Sequence, residues 1–160
     1  QVAYRVTDER KGPLLRYLIK EQNLQQVLVF TSSVYKADGV VHKLKTNGVV
    51  ALALHSQKSQ GARTDALRYF KSSEINVLVA TDLASRGIDI PTLPVVINYE
   101  LPRSPKDFIH RIGRTGRAGA TGLAISFVTP QDEEHFRVIQ KKMGQWVDMV
   151  ETEGWNLRGY

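Results

Sequence analysis

The 160-residue chain contains no cysteine, which excludes a disulfide framework and any thiolate metal site. Its four histidines, His42, His55, His110 and His135, stand too far apart for a zinc motif. Long hydrophobic runs are missing too: stretches such as Val49 to Leu54 are strand-length, so neither a transmembrane helix nor a signal peptide is read. The chain is therefore expected to be soluble and intracellular, with no membrane partner. Low-complexity tracts, internal repeats and linkers are also lacking, which argues against disorder. What is present is ordinary for one folded domain: 42% hydrophobic and 24% charged residues, enough to bury a core. The balance of 22 Lys+Arg against 16 Asp+Glu gives a net charge of +6, a modest hint of a polyanionic partner.

Apolar runs rich in β-branched residues recur at Val2 to Val6, Val27 to Phe30, Val50 to Leu54, Val77 to Ala80, Val95 to Asn98 and Leu123 to Val128. Each reads as a strand. Their near-continuous hydrophobicity suits a parallel sheet covered on both faces. Helix-length segments lie between them: Asp8 to Glu21, Val34 to Lys45, Ser59 to Phe70, Pro105 to Ile112 and Gln131 to Met143. Ser59 stands where a helix N-cap would. This alternation predicts an α/β protein, a three-layer α/β/α sandwich with a mostly parallel central sheet. Ligands of such a sheet bind beyond the carboxyl ends of the strands. Residues 1–143 are read as the domain proper. The remainder, 144–160, is read as a C-terminal extension outside the alternation, free to pack or fray.

Three strand-to-helix loops carry chemistry. Ala80 to Pro91 packs Thr81, Asp82, Arg86, Gly87 and Asp89 into a few positions. A Thr hydroxyl beside backbone N–H groups can hold a phosphate, Gly87 permits close approach of the main chain, and Asp89 can accept from ribose hydroxyls. The same residues would also serve as an Asx-rich loop capping a short helix. His110-Arg111-Ile112-Gly113-Arg114-Thr115-Gly116-Arg117 spaces its arginines three apart among glycines. On a helical turn Arg114 and Arg117 could converge on one anion, and two guanidiniums suit a γ-phosphoryl group. A solvated basic turn is the plainer alternative. Gln60 and Arg63 lie one turn apart at a helix start, where the amides and dipole already favour phosphate. A solvated first turn explains them equally well.

Together and in this order, these segments resemble the C-terminal half of a DEAD-box RNA helicase core, within helicase superfamily 2. Val27 to Ser33 is similar to motif IV, Gln60 with Arg63 to the Gln-x-x-Arg of motif IVa, Ala80 to Pro91 to motifs V and Va, and His110 to Arg117 to motif VI. The general style is similar to the bacterial RhlE-like group. The resemblance implies a RecA-like domain of P-loop NTPase type without a P-loop. It implies that Arg114 and Arg117 contact the γ-phosphate, Arg117 as the arginine finger, with His110 beside them in the catalytic group. Asp89 would bind the ATP ribose, and Gly87 would line the nucleotide. Gln60, Arg63 and Thr81 would contact RNA phosphates and Ser33 would do so more weakly. Arg86, Asp82 and Arg111 would couple the lobes. In place of the family's usual His-Gly-Asp or His-Gly-Asn, this chain has His55-Ser56-Gln57, without the glycine that permits close approach of RNA.

No Gly-x-x-x-x-Gly-Lys-Ser/Thr loop, no Asp-Glu-Ala-Asp and no initiating Met occur. The chain is therefore expected to be one lobe of a longer protein. The partners implied are RNA and an N-terminal RecA-like lobe, and the cofactor is ATP with Mg2+ bound mainly by that lobe. The leading expectation is local unwinding of RNA duplexes. An ATP-gated RNA clamp with little unwinding, and a DNA-directed motor, are the alternatives. The expected location is the cytoplasm of a bacterium, or the nucleus or nucleolus if the source is eukaryotic.

Overall fold

The structure is a computed structural model and describes residues 1–85, 93–113 and 122–160. Seven strands form one sheet: β1 (Val2–Arg5), β2 (Val27–Thr31), β3 (Ala51–Leu54), β4 (Val77–Thr81), β5 (Val95–Asn98), β6 (Leu123–Val128) and β7 (Asp148–Glu151). Their spatial order is β3-β4-β2-β5-β6-β1-β7, and every pairing is parallel. Six helices accompany them: α1 (Lys11–Glu21), α2 (Val34–Thr46), α3 (Gln60–Lys71), the single turn α4 (Asp82–Ser85), α5 (Pro105–Ile112) and α6 (Glu133–Met143). Among the described residues no helix is long and apolar enough to cross a membrane.

The strand sequences read as continuous apolar runs because both faces are covered. All five residues of β2 are buried. Its odd-numbered Val27 and Val29, with Val77, Val79, Val95 and Ile97, pack beneath α1 and α2. The alternate residues Leu28, Phe30, Leu78, Ala80 and Val96 turn to the other face, against Ala66 and Phe70 of α3. On that face Phe108 of α5 and Phe136 of α6 meet edge to face, their rings 5.9 Å apart, over Ala3 and Val128. The period-two alternation of the pleat therefore sorts each strand between two helical layers, giving the three-layer, RecA-like sandwich.

The segment after Gly144 carries a strand that the sequence reading did not place. It supplies β7, a seventh parallel strand beside β1, with Val2 opposite Asp148 and Arg5 opposite Glu151. Gly144 closes α6 in the left-handed region at φ 73°, a conformation that costs glycine little. The buried Gln140 side chain then accepts from the backbone N–H of Val147 at 2.7 Å and aims the chain onto the sheet edge. Beyond β7 the segment packs rather than frays. Trp155 meets Tyr4 at 6.0 Å and Tyr17 at 5.4 Å, and the Arg10 guanidinium donates to the carbonyls of Thr152 and Trp155.

For function, the strand order matters most. β3, β4, β2 and β5 are consecutive neighbours, with Leu54 beside Ala80 and Thr31 beside Thr81. The loops leaving these four strands consequently emerge side by side at one edge.

Candidate functional site

At the end of β4, Thr81 is half-buried and Asp82 opens the one-turn helix α4. The Ser85 hydroxyl donates to the Asp82 carbonyl at 2.9 Å, so the loop-capping geometry is present. The Asp82 carboxylate meets Arg111 from α5, a residue 1% exposed. Its Nε and Nη2 donate to the two carboxylate oxygens, both at 2.6 Å. Its Nη1 donates to Asn98 Oδ1 at 3.2 Å and to the Glu100 carbonyl at 2.6 Å, and the guanidinium lies 5.0 Å over the Phe30 ring. Asn98 in turn donates to Ser126 Oγ at 3.1 Å. One planar cation therefore ties α5 to the start of α4, to β5 and to β2, and through Asn98 to β6. The bidentate geometry offsets the cost of desolvating it.

The same anchor reaches β2. Glu100 Oε1 accepts from both the backbone N–H and the hydroxyl of Ser32, each at 2.9 Å. Ser33 caps α2, accepting from the Lys36 N–H at 3.1 Å. Alongside, a cleft of about 560 Å³ opens between Lys11, Ser32, Glu100 and Arg103. Its wall includes the buried Lys11, paired with Asp8 at 3.4 Å and lying over Tyr99. Burial, with the neighbouring charges of Asp8 and Glu100, pushes the Tyr99 phenol up to about 12.

On the far side, Ser59 caps α3 by accepting from the Ala62 N–H at 3.1 Å. This leaves Gln60 exposed and Arg63 half-buried on the first turn. Gln60 reaches only Thr64, at 3.5 Å. The Arg63 side chain makes no hydrogen bond or ion pair among the described residues, and neither does that of the exposed Lys58. The loop before α3 is fixed by His55, 2% exposed. Its Nδ1 accepts from the Gln57 N–H at 3.2 Å and its Nε2 meets Asp38 Oδ1 of α2 at 2.8 Å. Ser56 and Gln57 themselves stand exposed at the rim.

Of the residues singled out in the sequence, Ser33, Gln60, Arg63, Thr81, Asp82 and Arg111 are thus carried to one edge of the sheet. His110 is exposed on the last turn of α5. Arg86, Gly87, Asp89, Arg114 and Arg117 lie outside the described residues.

Residues 10–119 match the helicase conserved C-terminal domain family. The chain belongs to the DEAD-box helicases, as their C-terminal RecA-like domain. It is 46% identical over 144 residues to the ATP-dependent rRNA helicase RRP3 of Gibberella zeae, covering 90% of this chain and 30% of that protein. It is 41% identical to the probable ATP-dependent RNA helicase ddx49 of Dictyostelium discoideum, covering 89% of this chain and 28% of the other. It superposes on E. coli SrmB, solved bound to the regulator of ribonuclease activity A, with TM-score 0.88, 35% identity and coverage of 93% and 88% of the two chains. On the C-terminal domain of the DEAD-box protein Dbp5 the TM-score is 0.87, with 31% identity and coverage of 99% and 94%. The chain spans about a third of the length of the curated relatives it matches. The comparisons do not specifically confirm the RhlE-like resemblance, and the curated relatives named here, both eukaryotic, do not support a bacterial cytoplasmic location.

Within this DEAD-box domain, sequence reasoning passed over Asn98, Glu100, Ser126 and the His55–Asp38 pair. All are polar groups whose partners lie far along the chain, 68 residues for Ser32 and Glu100. The one signal was polar residues closing apolar strands: Asn98 at the end of β5, with Glu100 two positions on, and His55 directly after β3.

Proposed function

We propose that this domain is the C-terminal lobe of an ATP-dependent RNA helicase. In this reading it grips the RNA sugar-phosphate track through Gln60, Arg63, Thr81 and, more weakly, Ser33. The observation that carries the reading is the unspent donors at the sheet edge. Arg63 has no acidic partner among the described residues and sits at the amide end of α3, beside loops from three neighbouring strands. An anion is the ligand such an edge lacks. Contacts to the backbone rather than to base edges make recognition largely sequence-independent, and 2′-hydroxyl contacts would favour RNA over DNA.

ATP is the substrate of the second reaction partner, an N-terminal lobe that would also hold Mg2+. Asp89 and Gly87 would line its ribose side, and Arg114 and Arg117 would stabilise charge as it spreads over the transferred phosphoryl group. Arg111, spent entirely inside the domain, acts as a positioning residue that holds α5 against the start of α4. His110, Arg86 and Asp82 would link nucleotide and RNA sites on lobe closure. Given rRNA helicase relatives, the nucleolus is the compartment that fits best. Comparing RNA-stimulated with DNA-stimulated ATP turnover of the longer protein tests the reading. Stimulation by RNA alone is expected, and equal stimulation by DNA would contradict it. Duplex separation in the same protein distinguishes unwinding from a clamp.

A further inference from the structure

The first turn of α2 carries an aromatic ring that the fold does not use. Tyr35 is 87% exposed, the most open of the large hydrophobic side chains described, although α2 buries Ala37, Val40, Val41 and Leu44 on its other face. Tyrosines that are not packed are uncommon, since a large apolar ring left in water forfeits its burial energy. Four residues on, inside the helix, stands Gly39. A Cβ there would meet nothing within 4 Å and its backbone is ordinary helix. Packing therefore gives no reason for a glycine, which an α-helix interior holds less stably than alanine. Helical side chains lean back over the preceding turn, so a residue at 39 would cover the ring of Tyr35. With glycine there, the ring is left uncovered.

The location of this platform decides its occupant. Tyr35 follows Ser33 by two residues, and Asp38, one turn on from Tyr35, holds His55 of the loop that leads into Gln60 and Arg63. Lys36, next to Tyr35 in the helix, and Lys58 and Arg63 of the segment that Asp38 ties to α2 make no ion pair among the described residues, so this side of the domain suits a polyanion. We propose that Tyr35, kept open by Gly39, stacks on a base of single-stranded RNA as the strand crosses from α2 to α3. This deepens the RNA-grip reading above and rests on it. Stacking adds affinity without sequence choice, because every base has a π-face.

Binding of a labelled oligouridylate to the 160-residue chain, followed by fluorescence anisotropy at low salt, tests it. Tyr35→Ala should weaken binding about tenfold, within the range of a single stacked base, and Tyr35→Phe should bind as wild type. On an abasic strand, which keeps the phosphates, Tyr35→Ala and wild type should bind alike, while Arg63→Ala weakens both strands. Gly39→Leu should raise Tm, because helix propensity improves, yet lower RNA affinity by covering the ring. Unchanged affinity of Tyr35→Ala or Gly39→Leu, with Arg63→Ala still impaired, would overturn the stacking role and leave the ring to a protein partner. An Arg63→Ala chain that binds normally, or a wild type that binds no RNA, would overturn the RNA-grip reading itself.

Discussion

A guanidinium that is 1% exposed holds its place only if its N–H groups are met, and four hydrogen bonds around Arg111 meet them. Removing it would strand Asp82, although that carboxylate is 33% exposed and water would relieve part of the loss. Arg111→Ala should therefore cost about 3 kcal/mol, the low end for breaking a buried pair. Arg111→Lys should recover less than half, since an ammonium cannot span Asp82, Asn98 and Glu100 at once. Urea midpoints check both, and unchanged midpoints would show that the anchor is incidental. Tyr99 gives a pH signature at the same scale. Its phenol is raised to about 12 by burial first and by Asp8 and Glu100 next, so between pH 10 and 12 the unfolded chain loses a proton that the folded chain keeps. Stability should be intact below pH 10 and fall through that window by on the order of 2 kcal/mol. Tyr99→Phe should remove this limb of the stability profile.

Among the elements, those legible in the sequence were the ones whose pattern is local. β2 and β4 are unbroken apolar runs, and α3 shows its serine cap and its Ala66 and Phe70 spacing within one window. β7 was not legible because Asp148-Met149-Val150-Glu151 is short, charged at both ends and exposed at the sheet edge. Its strand identity comes from Gln140, Arg10 and the aromatic group around Tyr17, none of them near it in sequence. The one-turn α4 is too brief for any periodicity to show. The site was half legible for the same reason: loop residues such as Thr81, Arg63 and Ser33 stand out by type, whereas the Ser32–Glu100 and His55–Asp38 pairs exist only once the strands are ordered. If the segment after β7 is a structural cap, Trp155→Ala should lower stability by about 2 kcal/mol through lost burial against Tyr4 and Tyr17. Trp146→Ala, at 66% exposure, should change it by less than about 0.5 kcal/mol. Equal effects in thermal melts would contradict that division.

For the whole molecule, strand order converts a linear series of motifs into one edge. The loops after β2, β3 and β4 hold the RNA candidates, and α5 carries the chain from β5 toward Arg114 and Arg117. In the proposed reading Arg114 and Arg117 supply half of a nucleotide site and the sequence has no phosphate loop, so the 160-residue chain should hydrolyse no ATP by itself. Turnover abolished by changing Arg114 and Arg117 together would contradict this, since it would belong to the chain. RNA binding by the chain should be weak and salt-dependent, and Arg63→Ala should flatten the log–log salt slope by about one unit. The most direct test of the central claim is the RNA-stimulated ATP turnover of the longer protein carrying Arg117→Ala. A drop in kcat on the order of 10³ or more, with ATP affinity in the absence of RNA unchanged, is the expected result for a guanidinium used only in the closed transition state. Turnover at the wild-type rate under saturating RNA would contradict the account.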